Sequence, residues 1–289
     1  MAAMAQKKAK KKATGKPGAG SRKRGARGNT TAKALQKKAA AVAVKKAAVK
    51  KPSAKRAGKR TGKRTGEAAA SVGLETDPKR IAELLRRLEA AYPNAECALH
   101  HRNAWELLVA TTLSAQCTDA RVNMVTPELF RKFPTPQAFA EASLPAIEEE
   151  IRSTGFYHNK AKSISGAAKK LMSDFGGKVP ETMAELLTLP GVARKTGNVV
   201  LGVAFKKAEG VVVDTHVLRL SYRLGLTRAE DPKRVEEDLM KIIPRDHWIA
   251  FSHEMIHHGR QICIARKPRC AECPLETLCN AADKTWSSR

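Results

Sequence analysis

Apolar residues recur at helical spacing over most of the chain after residue 74. In the segment "TDPKRIAELLRRLEAAYP", residues 76–93, four apolar side chains fall on one face of a helix: Ile81, Leu84, Leu85 and Leu88. Thr76 or Asp77 can act as the N-cap, and Pro78 suits the first helical position. The pattern therefore predicts an amphipathic helix that packs against other parts of the protein through this face.

The same spacing predicts further helices over about 159–175, 181–187 and 195–205, separated by glycine and proline. Another helix is predicted to begin after Thr135, which is followed by a proline. The only strand-like run is "VVV", residues 211–213, which is too short to indicate a sheet. The predicted fold class is all-α.

The stretch "LTLPGVARKTGNVV", residues 187–200, predicts a helix-hairpin-helix. Gly191 permits the tight turn between the two helices. The backbone N–H groups around Val192, Ala193 and Arg194 are expected to point outward without partners. Free N–H groups at the start of a helix bind anions, and phosphate is the anion that a DNA-binding protein meets there.

Lys195 lies in the first turn of the second hairpin helix, where the helix macrodipole disfavours a positive charge and so favours the neutral amine. A neutral lysine amine is the form needed for nucleophilic catalysis. A lysine that only contacts phosphate is the competing interpretation, and the chemistry alone leaves both open.

Asp214 follows the apolar run 211–213 and precedes a helical pattern. An isolated aspartate in this setting is usually an N-cap. A rigidly held carboxylate can also accept or relay protons for a lysine nucleophile. The two roles are compatible.

Four cysteines near the C-terminus have the spacing C-x6-C-x2-C-x5-C: Cys263, Cys270, Cys273 and Cys279. Without an export signal the thiols should remain reduced, which disfavours two disulfides. A zinc ion and an iron-sulfur centre both fit four thiolates. The first inter-cysteine loop carries Arg266 and Lys267 as candidate phosphate contacts. Cys97 and Cys117 lack partners at metal spacing and are expected to be buried.

The net charge of +26 is concentrated in the first 66 residues, which contain 23 Lys and Arg residues and no Asp or Glu. The remaining chain carries 31 basic against 28 acidic residues. This tail has no aromatic residue and repeats a basic unit in "KRAGKRTGKRTG", residues 55–66. Such a composition predicts disorder and a polyanionic partner, with nucleic acid the first candidate. No secretory signal or membrane-spanning stretch is expected.

The chain closely resembles the endonuclease III family of the helix-hairpin-helix DNA glycosylase superfamily. The resemblance is carried by five segments: "LPGVARKTGNVV", "VVDTH", the cysteine loop, "LSAQCTDARVN" (113–123) and "STGFYHNKA" (153–161). The likeness covers about residues 78–282. It implies two α-helical lobes with DNA bound across the cleft between them, preceded by a disordered basic tail. The expected divisions are a tail (1–75), the N-terminal helix of the cluster lobe (76–98), a helical barrel with the hairpin (99–208) and the rest of the cluster lobe (209–289).

The resemblance also implies roles for individual residues. The cysteine loop would bind a [4Fe–4S] cluster, Lys195 would be the catalytic lysine and Asp214 the catalytic aspartate. Gln116 matches a glutamine that fills the gap left by an extruded base, and Phe156 falls in a loop that wedges into the opposite strand. One departure is Ala193, where the family more often has glycine; if that position needs positive φ, the cost is about 1 kcal/mol.

The implied function is a bifunctional DNA glycosylase and AP lyase of base excision repair. It would remove oxidised pyrimidines and cut the strand 3′ to the abasic site by β-elimination through a lysine Schiff base. Its partner would be double-stranded DNA with damaged bases or abasic sites, and a monomer in the bacterial cytoplasm or nucleoid (the nucleus in a eukaryote) is expected. An adenine-mismatch glycosylase is an alternative, although that family usually lacks this lysine and has an additional C-terminal domain. A non-catalytic, histone-like DNA-binding protein is the other.

Overall fold

The computed structural model describes residues 74–288, and the basic tail predicted for residues 1–66 lies outside them. Eleven α-helices make up most of the described residues, which contain no β-strand. The helices are α1 (Pro78–Ala91), α2 (Ala104–Leu113), α3 (Asp119–Lys132), α4 (Pro136–Glu141), α5 (Leu144–Ile151), α6 (Tyr157–Asp174), α7 (Met183–Leu186), α8 (Arg194–Ala204), α9 (Thr215–Arg223), α10 (Pro232–Ile242) and α11 (Trp248–Gln261). The predicted all-α class is confirmed.

Helix α1 begins and packs as its sequence predicts. Of the two candidate caps, Asp77 is the one used: its Oδ1 accepts from the backbone N–H groups of Lys79 (3.0 Å) and Arg80 (3.1 Å). All four residues of the predicted apolar face are buried. The N-cap and the helical spacing of the apolar residues therefore predicted both the start of α1 and its buried face.

The helices are organised around two hydrophobic cores. The first is formed by a continuous stretch, Leu99 to Leu201, and its helices α2 to α8 are called the hairpin lobe below. The second combines α1 with residues 211–275, including α9, α10 and α11; these elements and the cysteine loop are called the cluster lobe. This is the predicted two-lobed arrangement, in which the N-terminal helix packs with the C-terminal part of the chain.

The helix limits around the hairpin differ slightly from the prediction. Helix α7 covers only Met183–Leu186 instead of 181–187. It begins late because Thr182 is its N-cap: the Oγ1 of Thr182 accepts from the backbone N–H of Glu185 at 3.3 Å. At the far end of α6, Gly176 and Gly177 both adopt positive φ, as the predicted helix stop requires.

A buried carboxylate joins the hairpin helix α8 to the cluster lobe. Glu236 on α10 accepts from Nε of Arg194, at 3.0 Å to each of its oxygens, and from Nδ2 of Asn198 at 2.7 Å. A Cβ atom at Gly210 would collide with this carboxylate. The start of α8 is thus held in a fixed position relative to α10.

A second buried carboxylate lies where α1 packs against α11. Burial raises the pKa of Glu254 to about 7 from its usual 4.5, and the charge of Glu89 on α1 adds to the effect. The folded state therefore holds a proton that the unfolded state releases near pH 4.5. Stability should fall as pH rises from about 4.5 to 7 and then level off.

Glu254→Gln should remove this pH dependence, because glutamine mimics the protonated acid. One pKa unit corresponds to about 1.4 kcal/mol, so the variant should gain roughly 2–3 kcal/mol at pH 8 and little at pH 4.5. Thermal unfolding midpoints at the two pH values measure the effect. Glu237→Gln, at an exposed position of α10, is the control and should show no such gain. An equal shift of the Glu254→Gln midpoint at both pH values would contradict the assignment.

Within residues 74–288, no helix combines the length and the apolar character needed to cross a membrane.

Candidate active site and cluster loop

An open cleft of about 490 Å³ lies between the two lobes, a volume typical of small-molecule sites. Its hairpin-lobe side includes Gln116 and Lys195, and its cluster-lobe side includes Asp214. Three residues separated by up to 98 positions in the sequence therefore face one space. Phe156 and the cysteine loop are not among the described residues that line it.

Lys195 is the second residue of α8 and is exposed in this cleft. The helix begins without a side-chain cap, because its N-cap residue is Ala193, which has no polar side chain. The backbone N–H groups of the first turn thus remain available to an anion. Ala193 has φ −97° and ψ 168°, an ordinary extended conformation. The cost expected for alanine at a glycine position therefore does not arise.

The hairpin turn itself differs from the sequence expectation at one amide. The N–H of Val192 donates to the carbonyl of Leu189 at 3.2 Å, so it is not free for phosphate as predicted. Gly191 adopts φ +78°, and a Cβ atom there would lie 2.5 Å from Cβ of Ser163 on α6. Glycine is needed at this position for both conformation and space. The side chain of Arg194 is bonded to Glu236, which leaves mainly its backbone N–H for DNA.

Asp214 is the N-cap of α9, as the sequence predicts. Its Oδ1 accepts from the backbone N–H groups of His216 and Val217, both at 2.8 Å. Neither of these bonds uses Oδ2, and the half-buried side chain also lines the cleft. The cap therefore orients the carboxylate and leaves its second oxygen available for chemistry.

Four residues other than glycine adopt left-handed backbone conformations in the described part of the chain: Gln116, Phe156, Lys206 and Lys267. Lys206 has a structural reason, since it follows α8 at a turn in which the N–H of Lys207 donates to the carbonyl of Leu201. The other three are exposed and were all predicted to contact DNA. Left-handed conformations in such residues often mark functional sites.

The cleft residues that the sequence did not predict include two histidines, His253 and His257 on α11. Burial, together with the nearby His257 and Lys206, lowers the pKa of His253. A neutral imidazole can both donate and accept a hydrogen bond. The ring of His257 lies 3.2 Å from the carbonyl of Glu96, in the segment between α1 and α2. The available sequence signal was the spacing of these two histidines on one helix face. However, seven of the last ten residues of α11 are polar or charged, which hides that face.

The four predicted ligand cysteines surround a single cavity. Within the described residues, no three His, Cys, Asp or Glu side chains are grouped closely enough to hold one metal ion. The lining of one cavity by four thiols fits a [4Fe–4S] cluster, which takes cysteine thiolates as its ligands. Cys263, Cys270, Cys273 and Cys279 would hold the cluster, which would link the two ends of the loop that these cysteines span.

Hydrogen-bond donors next to two of the thiols, Cys263 and Cys270, suit thiolate ligands, whereas burial raises the pKa of Cys273 and Cys279. Arg223 donates from Nη1 to Sγ of Cys263 at 3.3 Å, and the N–H of Thr285 donates to Sγ of Cys270 at 3.4 Å. Burial alone would raise the pKa of Cys270, but hydrogen bonds from Thr285 and Trp286 and the charge of Lys284 together lower it. Such donors stabilise the anionic sulfur of a cluster ligand.

The loop between the first two cysteines is closed at its base by a hydrogen bond from the N–H of Arg269 to the carbonyl of Ile262, at 3.0 Å. Arg266 and Lys267 are exposed on this loop. Cys97 and Cys117, expected to be buried, are half-buried and line the cleft.

Comparison with known proteins identifies two family models in the chain. Residues 109–245 match the HhH-GPD superfamily of base excision DNA repair proteins, and residues 263–279 match the iron-sulfur binding domain of endonuclease III. Endonuclease III of Synechocystis is 57% identical over 204 residues, which cover 71% of this chain and 93% of the relative. Endonuclease III of Bacillus subtilis is 46% identical over 207 residues, 71% of this chain and 94% of the relative.

Solved structures give the same result. A trapped endonuclease III–DNA covalent intermediate is 46% identical, with a TM-score of 0.67, and covers 71% of this chain and 96% of the other. A thermostable thymine-DNA glycosylase has a TM-score of 0.64 at 22% identity, over 70% of this chain and 96% of the other, and shows the fold alone.

Proposed function

Because the chain belongs to the endonuclease III family, we propose that Lys195 and Asp214 perform the chemistry of that family in the cleft between the lobes. The protein is a bifunctional DNA glycosylase and AP lyase of base excision repair, and it carries a [4Fe–4S] cluster. The observation that supports the residue assignment is that Lys195, Asp214 and Gln116 line one cleft.

In the proposed reaction the neutral amine of Lys195 attacks C1′ of the deoxyribose, and the damaged base leaves with the electrons of the glycosidic bond. Opening of the sugar ring gives a Schiff base between Lys195 and C1′. Loss of a proton from C2′ then expels the 3′ phosphate by β-elimination, and water releases the lysine. Oδ2 of Asp214 is the group that stabilises the positive charge developing on the sugar or accepts protons.

The start of α8 binds the DNA backbone in this proposal. Its uncapped amides and the positive end of its dipole attract a phosphate. Since Lys195 belongs to the same first turn, a phosphate held there brings the neighbouring sugar within reach of its amine. This explains why a lysine occupies the opening of the turn.

The proposed substrates are oxidised pyrimidines, such as thymine glycol, in double-stranded DNA. A damaged base that stacks and pairs poorly is the easiest to flip out of the duplex. His253 and His257 line the cleft that would receive it and offer hydrogen-bonding groups to its edge. Gln116 would fill the gap that the base leaves.

Borohydride trapping with the unaltered protein tests the proposal. Reduction should link the protein covalently to an abasic duplex and to a thymine glycol duplex, and peptide mapping should find the link on Lys195. A link on another residue would overturn the assignment of the nucleophile. The absence of any link would support a non-catalytic DNA-binding protein.

The basic tail is proposed to be a DNA-binding arm, which supports a location on the bacterial nucleoid. Each phosphate neutralised on duplex DNA adds about 0.9 to the slope of log affinity against log salt concentration. Deleting residues 1–66 should therefore reduce this slope by several units and weaken binding to undamaged DNA most. Single-turnover excision at saturating enzyme should change little.

The matched control replaces the 23 Lys and Arg residues of the tail by serine and keeps its length. This variant should behave like the deletion, since the effect is expected from charge. Equal salt slopes for the full-length and deleted proteins would show that the tail does not bind DNA.

A further inference from the structure

A lysine is buried at the start of α6, in a place where the hairpin lobe has no obvious need for a charge. Lys160 is only 5% exposed, and its Nζ donates to two backbone carbonyls, those of Leu113 and Thr154, both at 2.8 Å. Burial lowers the pKa of Lys160. Burying an ammonium group is unfavourable unless its hydrogen bonds compensate, and both partners here are carbonyl dipoles.

The two carbonyls belong to the segments that lead to the two proposed DNA-inserting residues. Leu113 is the last residue of α2 and stands three positions before Gln116. Thr154 ends a short 3-10 turn and stands two positions before Phe156. The ammonium group of Lys160 therefore connects two loops that are 40 residues apart in the sequence.

Both of these loops contain a residue in a left-handed conformation at its tip. Gln116 has φ +53° and Phe156 has φ +49°. Phe156 is 63% exposed, so packing of its own side chain does not hold it in this conformation. A residue in such a conformation persists only when its surroundings determine it. The hydrogen bonds of Lys160 hold the backbone segment that immediately precedes each of these two residues.

We propose that Lys160 is a positioning residue that fixes the distance between the Gln116 loop and the Phe156 loop, so that both side chains enter the duplex together at the damaged base. This inference rests on the insertion roles proposed for Gln116 and Phe156. The two loops then act as one unit. Removing the hydrogen bonds of Lys160 should impair base excision in the same way as removing the two inserted side chains.

The test is Lys160→Met, which keeps the length of the side chain and removes its donors. Single-turnover excision of thymine glycol should fall by about 10²-fold, because small misplacements of positioning groups have effects of that size. Affinity for undamaged DNA should stay within about twofold, since the phosphate contacts are elsewhere. Lys169→Met, at an exposed position of the same helix, is the matched control and should leave both quantities unchanged.

A readout that a purely structural role would not change is the fluorescence of 2-aminopurine placed opposite the lesion, which reports unstacking of that strand. Lys160→Met should reduce the fluorescence increase as Phe156→Ala does. In a mutant cycle, adding Lys160→Met to a variant that already carries both Gln116→Ala and Phe156→Ala should cost little further excision, because neither inserted side chain is left to position. The inference would be overturned if the losses of excision multiply when the substitutions are combined. It would also be overturned if Lys160→Met leaves the fluorescence increase unchanged.

Lys160→Arg keeps the charge and the donors and covers the case in which Lys160→Met does not fold. It should retain part of the fluorescence increase, and complete loss of the increase in a folded Lys160→Arg protein would overturn the inference. Gln116→Ala and Phe156→Ala alone should each reduce excision. Full excision by both single variants would overturn their insertion roles and this inference together, whereas multiplying losses overturn only the role of Lys160.

Discussion

Lys195→Gln should abolish base excision while leaving DNA binding nearly intact. Single-turnover excision of thymine glycol should fall by at least about 10³-fold, since covalent catalysis is lost with its nucleophile. The borohydride-stable complex with an abasic duplex should disappear as well. Affinity should change little, because the amides of the first turn of α8 belong to the backbone and remain in place.

Lys169→Gln is the matched control, an exposed lysine on α6 that is not among the residues lining the cleft. It should excise thymine glycol and form the borohydride-stable complex as the unaltered protein does. If Lys195→Gln still forms a borohydride-stable complex, another amine is the nucleophile. A large loss of affinity in this variant would instead make Lys195 a phosphate contact, the competing interpretation of the sequence.

Asp214→Asn should separate the chemical role of this residue from its capping role. Asparagine is as good an N-cap as aspartate, so its side-chain oxygen can still accept from His216 and Val217. What is lost is the negative charge and the ability to take a proton. Turnover should fall by roughly 10²-fold or more, the usual size of a general acid–base contribution, with binding unchanged.

Asp231→Asn provides the control for the cap alone. Asp231 is the N-cap of α10, where it accepts from the N–H of Arg234 at 3.1 Å, and it does not line the cleft. Its substitution should alter neither turnover nor unfolding temperature to a measurable degree. Normal turnover in Asp214→Asn would leave Asp214 as a cap only.

The parts of the fold that the sequence predicted correctly depend on local chemistry. The apolar period of α1 and the caps Asp77 and Asp214 involve residues within a few positions of one another. The hairpin also follows from a short segment with proline and glycine. The four cysteines proposed as ligands could be picked out because their spacing is short and their thiol chemistry is distinctive.

Other features depend on residues that meet only in the folded chain. The sequence did not indicate that Val192 uses its N–H within the turn, or that Glu236 binds Arg194 from 42 positions away. Lys160 could have been noticed, since it stands four residues before Ile164 on the buried face of α6. A lysine at an apolar position of a helical pattern indicates a buried charge, but its partners, such as the carbonyl of Leu113, are visible only in three dimensions.

The division of the cluster lobe between the two ends of the described chain has a consequence for biosynthesis. Helix α1 leaves the ribosome first, but its packing partners begin at Val211. At typical translation rates these 120 or so residues take on the order of ten seconds, during which the apolar face of α1 has no partner from its own lobe. The hairpin lobe, being continuous in sequence, can fold in this interval. All four thiols are available to iron only after Cys279 has emerged, so the cluster can be completed only after nearly the whole chain has been translated.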